Sequence, residues 1–433
     1  MRLRGGTLPY KMQKESGDNR RPKLGWKKKL LLITLGLLFG LLIMEVALRI
    51  IGYTYPIWYM PDEHTGYSLR PGVEGWYTRE GQSYVRVNSE GLRDREHSKQ
   101  KPANTVRIAI LGDSFSEAMH VPQEDTFWWL MERRLKECPP FAGKNVEVIN
   151  FGVSGYGTAQ ELITLRQKVW EYQPDIVLLA FLTFNDIMDN SKALKDTEEM
   201  PYFVYRDGQL VEDKSFLTSR TYLKLTASWN RLGRWIRDRV RVFQAVHHAA
   251  FVYKTYMEAR RARQVMEAQN AEAQKRSQQP QEADSRQPRR PTLINHWVYY
   301  EPREPVWQDA WRVTEGLIAQ MSREVKERGA QFVVIVLDND VQSLPNPKSR
   351  ENFMRSIGVT DLSYPNRRVE EFCKSQGIEV LDIAPMMLEY AERNNVLLHG
   401  FGKDIGNGHW NSAGHAQAAE LMTRKVCEMQ AGR

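Results

Sequence analysis

The sequence contains too few cysteines for a disulfide framework or a cysteine-rich metal site. Only Cys138, Cys373 and Cys427 occur in 433 residues, and long intervals separate them. Disulfide-rich scaffolds and zinc motifs need more cysteines at short, regular spacings. We therefore expect at most one disulfide bridge, and the sequence gives no metal-ligand set and no cofactor motif.

The chain also lacks a basic field that extends over its whole length. Its formal net charge is +8, but residues 1–29 hold ten Lys and Arg against two acidic residues and account for all of that charge. The remaining chain has equal numbers of basic and acidic side chains. Because nucleic-acid binding depends on basic side chains that contact phosphates, this distribution argues against a nucleic-acid partner.

A single long hydrophobic run follows the basic segment. From Leu30 the sequence reads LLLITLGLLFGLLIMEVALRIIGY. Fifteen uncharged residues extend to Met44, and about nineteen residues extend to Leu48 if Glu45 is tolerated, which is close to the ~20 residues that cross a bilayer. Lys27, Lys28 and Lys29 precede it, and positive flanks stay in the cytoplasm. A cleaved signal peptide is the alternative, but MEVALRII offers no small-x-small cleavage site. We expect a single-pass membrane anchor with a cytoplasmic N-terminus and an extracytoplasmic body, periplasmic in a bacterium.

Short apolar runs alternate with helical patterns in the rest of the chain. The runs are VRIAILG, VEVINFG, DIVLLAFL, QFVVIVLD and IEVLDI. Strands that are buried on both faces of a parallel sheet have such continuous apolar sequences, and intervening helices are typical of βαβ units. The pattern predicts a three-layer α/β domain with a five-stranded parallel sheet.

The predicted organisation has six parts. They are a basic cytoplasmic tail (1–29), a transmembrane anchor (30–51), a loop-like lead-in (52–104), the first part of the α/β domain (105–190), a mostly helical insertion (191–305) and the second part of the domain (306–433).

The insertion has two contrasting segments. Apolar residues at helical spacing predict helices in its middle, and the Gln-, Arg- and Pro-rich stretch EAQKRSQQPQEADSRQPRRP has almost nothing to bury. We expect the second segment to be flexible. The helices are either a hairpin packed on the domain or a lid or membrane-surface contact.

The first predicted strand ends on Gly112, Asp113 and Ser114. In open parallel sheets, ligands bind beyond the carboxyl ends of the strands, where helix N-termini point. A serine at this position has an exposed hydroxyl above the positive end of a helix dipole. Ser114 is therefore a candidate nucleophile, and a simple helix N-cap is the alternative.

Three other segments add groups that a serine nucleophile needs. The second strand leads to Gly152 and the third to Asn185, which supply a backbone N–H and a side-chain amide to the same edge. Such donors form oxyanion holes. Near the C-terminus, GNGHWNSAGH supplies His409 in a glycine-rich loop before the last helix. An imidazole in this loop could take the proton from Ser114.

These four blocks, in this chain order, resemble the SGNH hydrolases, also called GDSL lipases and esterases. The resemblance covers Val106 to about Arg424 apart from the insertion. It implies a flavodoxin-like fold and an acyl-serine mechanism in which Ser114 is the nucleophile and His409 the base. The Ser114 N–H, the Gly152 N–H and the Asn185 amide would hold the oxyanion.

The sequence departs from the family where the acid of the triad should stand. The family places an aspartate three residues before the histidine, and some extracytoplasmic relatives that acetylate polysaccharides place it two before. Here these positions are Gly406 and Asn407. Asn407 could orient His409 but carries no charge. Asp404 and Asp382 are candidate substitutes, and a Ser-His dyad oriented by backbone carbonyls is equally open.

Three functions fit these observations. The first is a membrane-tethered serine esterase that removes acyl groups, most simply acetyl, from a glycan or lipid outside the cytoplasm. The second is an O-acyltransferase of the same fold that modifies a polysaccharide, with a multispanning membrane protein as acyl donor. The third is a glycan-binding scaffold that has lost catalysis together with the acid.

Overall fold

The computed structural model describes residues 25–277 and 294–432 of the chain. The chain divides into two compact units, Met1–Tyr53 and Thr54–Arg433. In the first unit, helix α1 (Trp26–Ile50) contains the hydrophobic run and buries none of its side chains. Its 25 residues make it long and apolar enough to cross a membrane. Most of the predicted basic tail lies outside the described residues.

The second unit contains the strands and the remaining helices. The strands are β1 (Tyr59–Asp62), β2 (Gly66–Leu69), β3 (Glu74–Tyr77), β4 (Ser83–Arg86), β5 (Thr105–Gly112), β6 (Asn145–Asn150), β7 (Ile176–Phe181), β8 (Tyr202–Arg206), β9 (Gln209–Asp213), β10 (Gln331–Val336) and β11 (Glu379–Asp382). The helices are α2 (Ser114–Glu117), α3 (Phe127–Leu135), α4 (Thr158–Gln167), α5 (Asp186–Asp189), α6 (Lys192–Lys195), α7 (Arg220–Thr226), α8 (Ser228–Arg239), α9 (Arg241–Ser277), α10 (Pro305–Glu327), α11 (Pro347–Ile357), α12 (Tyr364–Ser375), α13 (Ala384–Asn394) and α14 (Ser412–Ala431).

The central sheet has the order β11-β10-β7-β5-β6, and each of its neighbouring pairs is parallel. Numbered along the chain, these five strands follow the order 2-1-3-4-5, which is the flavodoxin-like arrangement. All five apolar runs of the sequence are strands of this sheet. The predicted α/β class and the five-stranded parallel sheet are therefore confirmed.

Helices cover both faces of the sheet because its strands are apolar on both sides. Every residue of β7 is buried. Helices α4, α10 and α12 pack on one face, where Trp307 and Trp311 are buried. Helices α3, α13 and α14 pack on the other, and a disulfide between Cys138 and Cys427 joins the segment after α3 to α14.

The segment before the sheet has more structure than its composition indicates. Residues 52–104 were expected to be loop-like, but they contain two antiparallel hairpins, β1–β2 and β3–β4. Trp58, Leu69 and Val85 from this segment form a small core with Met119 and Tyr156 of the α/β domain. Strands of four residues separated by glycine and proline have too little periodicity to be recognised locally, so only the packing reveals them.

The insertion contains the hairpin β8–β9 and the helices α7, α8 and α9. The helices predicted in its middle are present. The Gln-, Arg- and Pro-rich stretch expected to be flexible lies largely in 278–293, outside the described residues.

Candidate active site

Ser114 occupies the carboxyl end of the first central strand. Strand β5 ends at Gly112, Asp113 turns the chain, and Ser114 is the first residue of helix α2. The Phe115 N–H donates to Asp113 Oδ1 at 2.9 Å, so Asp113 caps the helix. Asp113 and Phe115 are buried while Ser114 is partly exposed. The turn therefore fixes the backbone and leaves the serine hydroxyl open to a substrate.

His409 reaches this hydroxyl from the loop that precedes α14. The distance between His409 Nε2 and Ser114 Oγ is 2.7 Å. The end of the loop is fixed because the Asn411 side chain accepts hydrogen bonds from the Ala413 and Gly414 N–H groups at the start of α14. The structure thus brings together the nucleophile and the base proposed from the sequence, which are 295 residues apart.

The second ring nitrogen of His409, Nδ1, contacts Glu80, a residue that the sequence analysis did not identify as a candidate. Glu80 Oε2 lies 2.5 Å from His409 Nδ1, and Glu80 Oε1 accepts a hydrogen bond of 2.9 Å from the His409 backbone N–H. Burial alone would raise the pKa of Glu80, but the hydrogen bonds and charge of His409 lower it below its ordinary value. Glu80 is thus ionised at neutral pH and stands where a triad acid belongs.

This arrangement corrects the candidates for the missing acid. Asn407 and Asp404 are exposed, and Glu80 rather than either of them contacts His409 Nδ1. Asp382 accepts from Asn366 Nδ2 at 2.8 Å and from the Ala384 N–H, so it serves as a cap at the end of β11. A Ser-His dyad oriented by carbonyls is not what the structure contains.

Glu80 lies in the turn between β3 and β4, 329 residues before His409. The local sequence TREGQ around it reads as an exposed turn. An indirect signal lies in Gly408, which has φ of +93° and whose Cβ, if present, would stand 2.5 Å from Glu80 Oε1. A glycine at this position permits both the left-handed backbone and the close approach of Glu80.

The expected oxyanion donors differ in their availability. The Gly152 N–H donates to Asn150 Oδ1 at 3.0 Å, so it is already satisfied, contrary to the expectation that it faces the crevice. Asn185 Nδ2 donates to Asp113 Oδ2 at 3.2 Å, and its amide has a second N–H to offer. The Ser114 N–H has no acceptor within the described residues. The Ser114 N–H and the Asn185 amide are therefore the donors ready to hold an oxyanion.

Gly152 has a packing role in the site. A Cβ at this position would stand 2.4 Å from Ser116 Cβ and 2.9 Å from the Glu117 backbone nitrogen. Real side chains do not approach backbone this closely, so only glycine lets the segment after β6 pack against α2. The residue thereby supports the helix that carries Ser114.

A buried charged pair supports the loop that carries His409. His399 contacts Asp338 Oδ2 through Nε2 at 2.9 Å and the Gly408 carbonyl through Nδ1 at 2.7 Å. Both partners are acceptors, so both ring nitrogens donate and the ring is positively charged. Burial would lower the pKa of His399, but Asp338 and the Gly408 carbonyl raise it above the ordinary value. Trp410 Nε1 donates to the other oxygen of Asp338 at 2.9 Å.

Two uncharged histidines lie near His409, and one of them, His120, contacts its ring. The His120 ring stacks on the His409 ring with centroids 4.8 Å apart, and His120 Nε2 is 3.3 Å from His415 Nε2. Burial, with a contribution from neighbouring positive charges, lowers the pKa of both His120 and His415 well below the ordinary value. Glu80 therefore remains the charged partner of His409.

The described residues include no group of three or more His, Cys, Asp or Glu side chains that could hold a metal ion. The chemistry available at the site is that of a serine, an imidazole, a carboxylate and two N–H donors. This set can transfer an acyl group through a serine ester.

Comparisons with known proteins give matches at the level of solved structures. No protein-family model matches the chain, and no curated protein matches it. An acetyl xylan esterase matches with 12% identity over 74% of this chain and 100% of its own, with a TM-score of 0.34. A lipolytic protein of the G-D-S-L family from Desulfitobacterium hafniense matches with 10% identity over 74% and 99% of the two chains, with a TM-score of 0.33.

An acetylxylan esterase from Geobacillus stearothermophilus is a third example, with 10% identity over 74% of this chain and 94% of its own and a TM-score of 0.35. Of these three proteins, the one from Desulfitobacterium hafniense is named as a G-D-S-L family protein, and the other two are named as acetyl xylan esterases.

Proposed function

We propose that this protein is a membrane-tethered serine esterase that acts outside the cytoplasm on acyl esters, most simply acetyl esters, of a glycan or lipid. The observation that carries the proposal is the continuous chain of contacts from Ser114 Oγ through the His409 ring to Glu80. Such a chain activates a serine because the imidazole accepts its proton while the carboxylate balances the charge that develops.

The reaction follows from this geometry. Ser114 Oγ attacks the ester carbonyl carbon as its proton passes to His409 Nε2, and the oxyanion forms where the Ser114 N–H and the Asn185 amide can donate to it. The tetrahedral intermediate then releases the alcohol, which takes the proton from His409. A water molecule, deprotonated by His409, cleaves the acyl-Ser114 ester and regenerates the serine.

Glu80 removes the reason for proposing a non-catalytic scaffold. That alternative depended on the loss of the triad acid at Gly406 and Asn407. With a carboxylate on His409 Nδ1, the base has both its orientation and its counter-charge. An acyltransferase shares every step up to the acyl-serine and differs only in the acceptor, so it remains the second candidate.

Two features support a location outside the cytoplasm. Three consecutive lysines, Lys27 to Lys29, lie in the first turn of helix α1, and they favour the cytoplasmic side. The chain contains the Cys138–Cys427 disulfide. Disulfides persist in oxidising compartments and are rare in the cytosol. A reporter enzyme fused after residue 60 should therefore be active only outside the cytoplasm, and cytoplasmic activity would contradict the proposed orientation.

The activity itself is tested with acetylated oligosaccharides and the full-length protein. We expect release of acetate that disappears in Ser114→Ala. Addition of unacetylated sugar acceptors then separates the two candidates, because a transferase forms a new acetylated sugar faster than free acetate. Equal acetate release by wild type and Ser114→Ala would contradict the proposal.

A further inference from the structure

Helix α8 exposes a stripe of large apolar side chains. Trp229, Leu232 and Trp235 recur every three residues and are 71%, 58% and 52% exposed. Residues at this spacing lie along one side of a helix. Contiguous exposed apolar side chains of this size are typical of surfaces that bind another protein, a membrane or a ligand. We call these three residues the α8 face.

The charge around the α8 face is strongly positive. Residues 220–257 contain eight Lys and Arg but a single acidic residue, Asp238. Asp238 is neutralised by Arg70, whose Nη2 lies 2.8 Å from Asp238 Oδ2. Lys224 and Arg231 are exposed. An occupant of this surface should therefore combine apolar groups with negative charge.

Helix α8 is held firmly to the body by its other side. Arg70 also donates to the Ile57 carbonyl at 2.7 Å, so the Arg70–Asp238 pair ties α8 to the segment around β1 and β2. Gln244, at the start of α9, accepts from the Tyr55 N–H at 2.9 Å. The exposed stripe thus belongs to a docked helix, and what covers it must come from outside the described residues.

A membrane surface fits this combination best. Helices that lie in the interface of a bilayer carry Trp and Leu on one side and Arg or Lys beside them, and they bind anionic lipids through both. Helix α1 ends at Ile50, and the second unit begins at Thr54. If α1 crosses a membrane, this short connection keeps the body near the same lipids at high effective concentration.

We propose that the α8 face lies in the headgroup layer of the anionic membrane in which α1 is anchored. The aromatic side chains would insert at the headgroup level, and Lys224 and Arg231 would contact lipid phosphates. The inference rests on the tethering part of the proposed function, but not on the esterase chemistry. It gives the enzyme a second attachment besides its anchor.

The test uses the full-length chain in vesicles of phosphatidylcholine and phosphatidylglycerol. A cysteine introduced by Leu232→Cys can be labelled specifically, because Cys138 and Cys427 are bridged and Cys373 is buried. The label is the environment-sensitive dye NBD, and brominated lipids serve as quenchers. Glu371→Cys, at an exposed position of α12, is the matched control.

We expect brominated lipids to reduce the fluorescence at position 232 by about twofold or more, with no change at position 371. Quenching at position 232 should weaken when the vesicles lack phosphatidylglycerol, and also in the Arg231→Gln background. Equal quenching with neutral lipid would contradict the role of the positive charges.

Two results would overturn the proposal. If position 232 is as exposed to water as position 371, the α8 face does not contact the bilayer. If position 232 is shielded from water but not quenched by brominated lipid, a second copy or another protein covers it. Flotation of the chain with the vesicles tests α1 independently, so failure of the anchor and failure of the α8 contact are distinguishable.

Discussion

The two ends of the Ser114–His409–Glu80 chain are held by different kinds of structure. Ser114 lies where the largely buried central strand β5 meets a capped helix, and its neighbours Asp113 and Phe115 are buried. Glu80 lies in the turn of a hairpin whose strands have four residues each, and its side chain is partly exposed. The nucleophile is fixed by the core of the domain, whereas the acid depends on how a separate hairpin docks.

Folding and catalysis should therefore be sensitive to changes in different parts of this protein. Changes at the hairpin turn should lower the rate with little effect on the stability of the sheet, because Glu80 contributes a contact to His409 and not to the core. Changes near the His409 loop should affect both properties, because that loop is also held by the buried ion pair between His399 and Asp338, which follows β10.

The largest effect is expected at Ser114, the member of the Ser114–His409–Glu80 triad that the central sheet positions. Ser114→Ala should lower the hydrolysis of an aryl acetate by about 10³- to 10⁶-fold, because no other group forms the acyl intermediate. Thermal unfolding should be unchanged, since the side chain is partly exposed. Ser349→Ala, at an exposed position of α11, is the control and should keep full activity. An active Ser114→Ala variant would show that the reaction does not use this serine.

Glu80→Gln tests the member of the triad that the β3–β4 hairpin positions. It keeps the size of the side chain but removes the charge that balances the His409 imidazolium, so kcat should fall by about 10²- to 10⁴-fold. Glu74→Gln, on strand β3 of the same hairpin, should leave kcat unchanged because Glu74 pairs with exposed Arg86. A comparable loss in both variants would mean that the hairpin, and not the Glu80 carboxylate, is what matters.

Gly408→Ala tests the contact between the turn of the β3–β4 hairpin and the loop that carries His409. The new methyl group would stand 2.5 Å from Glu80 Oε1 and must displace it. Misplacement of a catalytic contact by about 1 Å costs ~10²-fold in rate. Gly402→Ala is the matched control, since Gly402 also has positive φ but has nothing within 4 Å of its Cβ position. Similar losses in both would indicate backbone strain alone.

The smallest effect concerns the stability supplied by His399. Its pKa is raised in the folded protein, so the stabilisation by Asp338 is complete below the unfolded value near 6.5 and is lost as pH rises through the folded value. His399→Gln should therefore lower the free energy of unfolding by about 1–3 kcal/mol at pH 6, and the difference should shrink at pH 9. Urea unfolding at both pH values measures it, and a difference that grows with pH would contradict a charged His399.

The sheet and the nucleophile could be predicted because local patterns determine them. Each central strand is a continuous apolar run, and its carboxyl end lies at a common edge, so Ser114 and Asn185 could be placed together without knowledge of packing. His409 followed from its position in a glycine-rich loop before the last helix.

Long-range packing determines the features of the site that could not be predicted from the sequence. Glu80 meets His409 only because two short hairpins dock on the domain through Trp58 and Val85. Likewise, the Gly152 N–H donates to the side chain of Asn150 and does not face the crevice. The position of the Asn150 side chain therefore determines this hydrogen bond. Asn407 and Asp404 lie close to His409 in the sequence, but the acid that contacts its Nδ1 is Glu80, from a distant part of the chain.

The most direct test of the account is the rate at which a fluorophosphonate modifies Ser114, followed by intact mass and peptide mapping. We compare wild type, Glu80→Gln and Asp404→Asn in the full-length protein. The triad predicts a single adduct on Ser114 that forms about 10²-fold or more slowly in Glu80→Gln and at the wild-type rate in Asp404→Asn. Wild-type reactivity in Glu80→Gln, or a slow reaction in Asp404→Asn alone, would contradict the assignment of Glu80 as the acid.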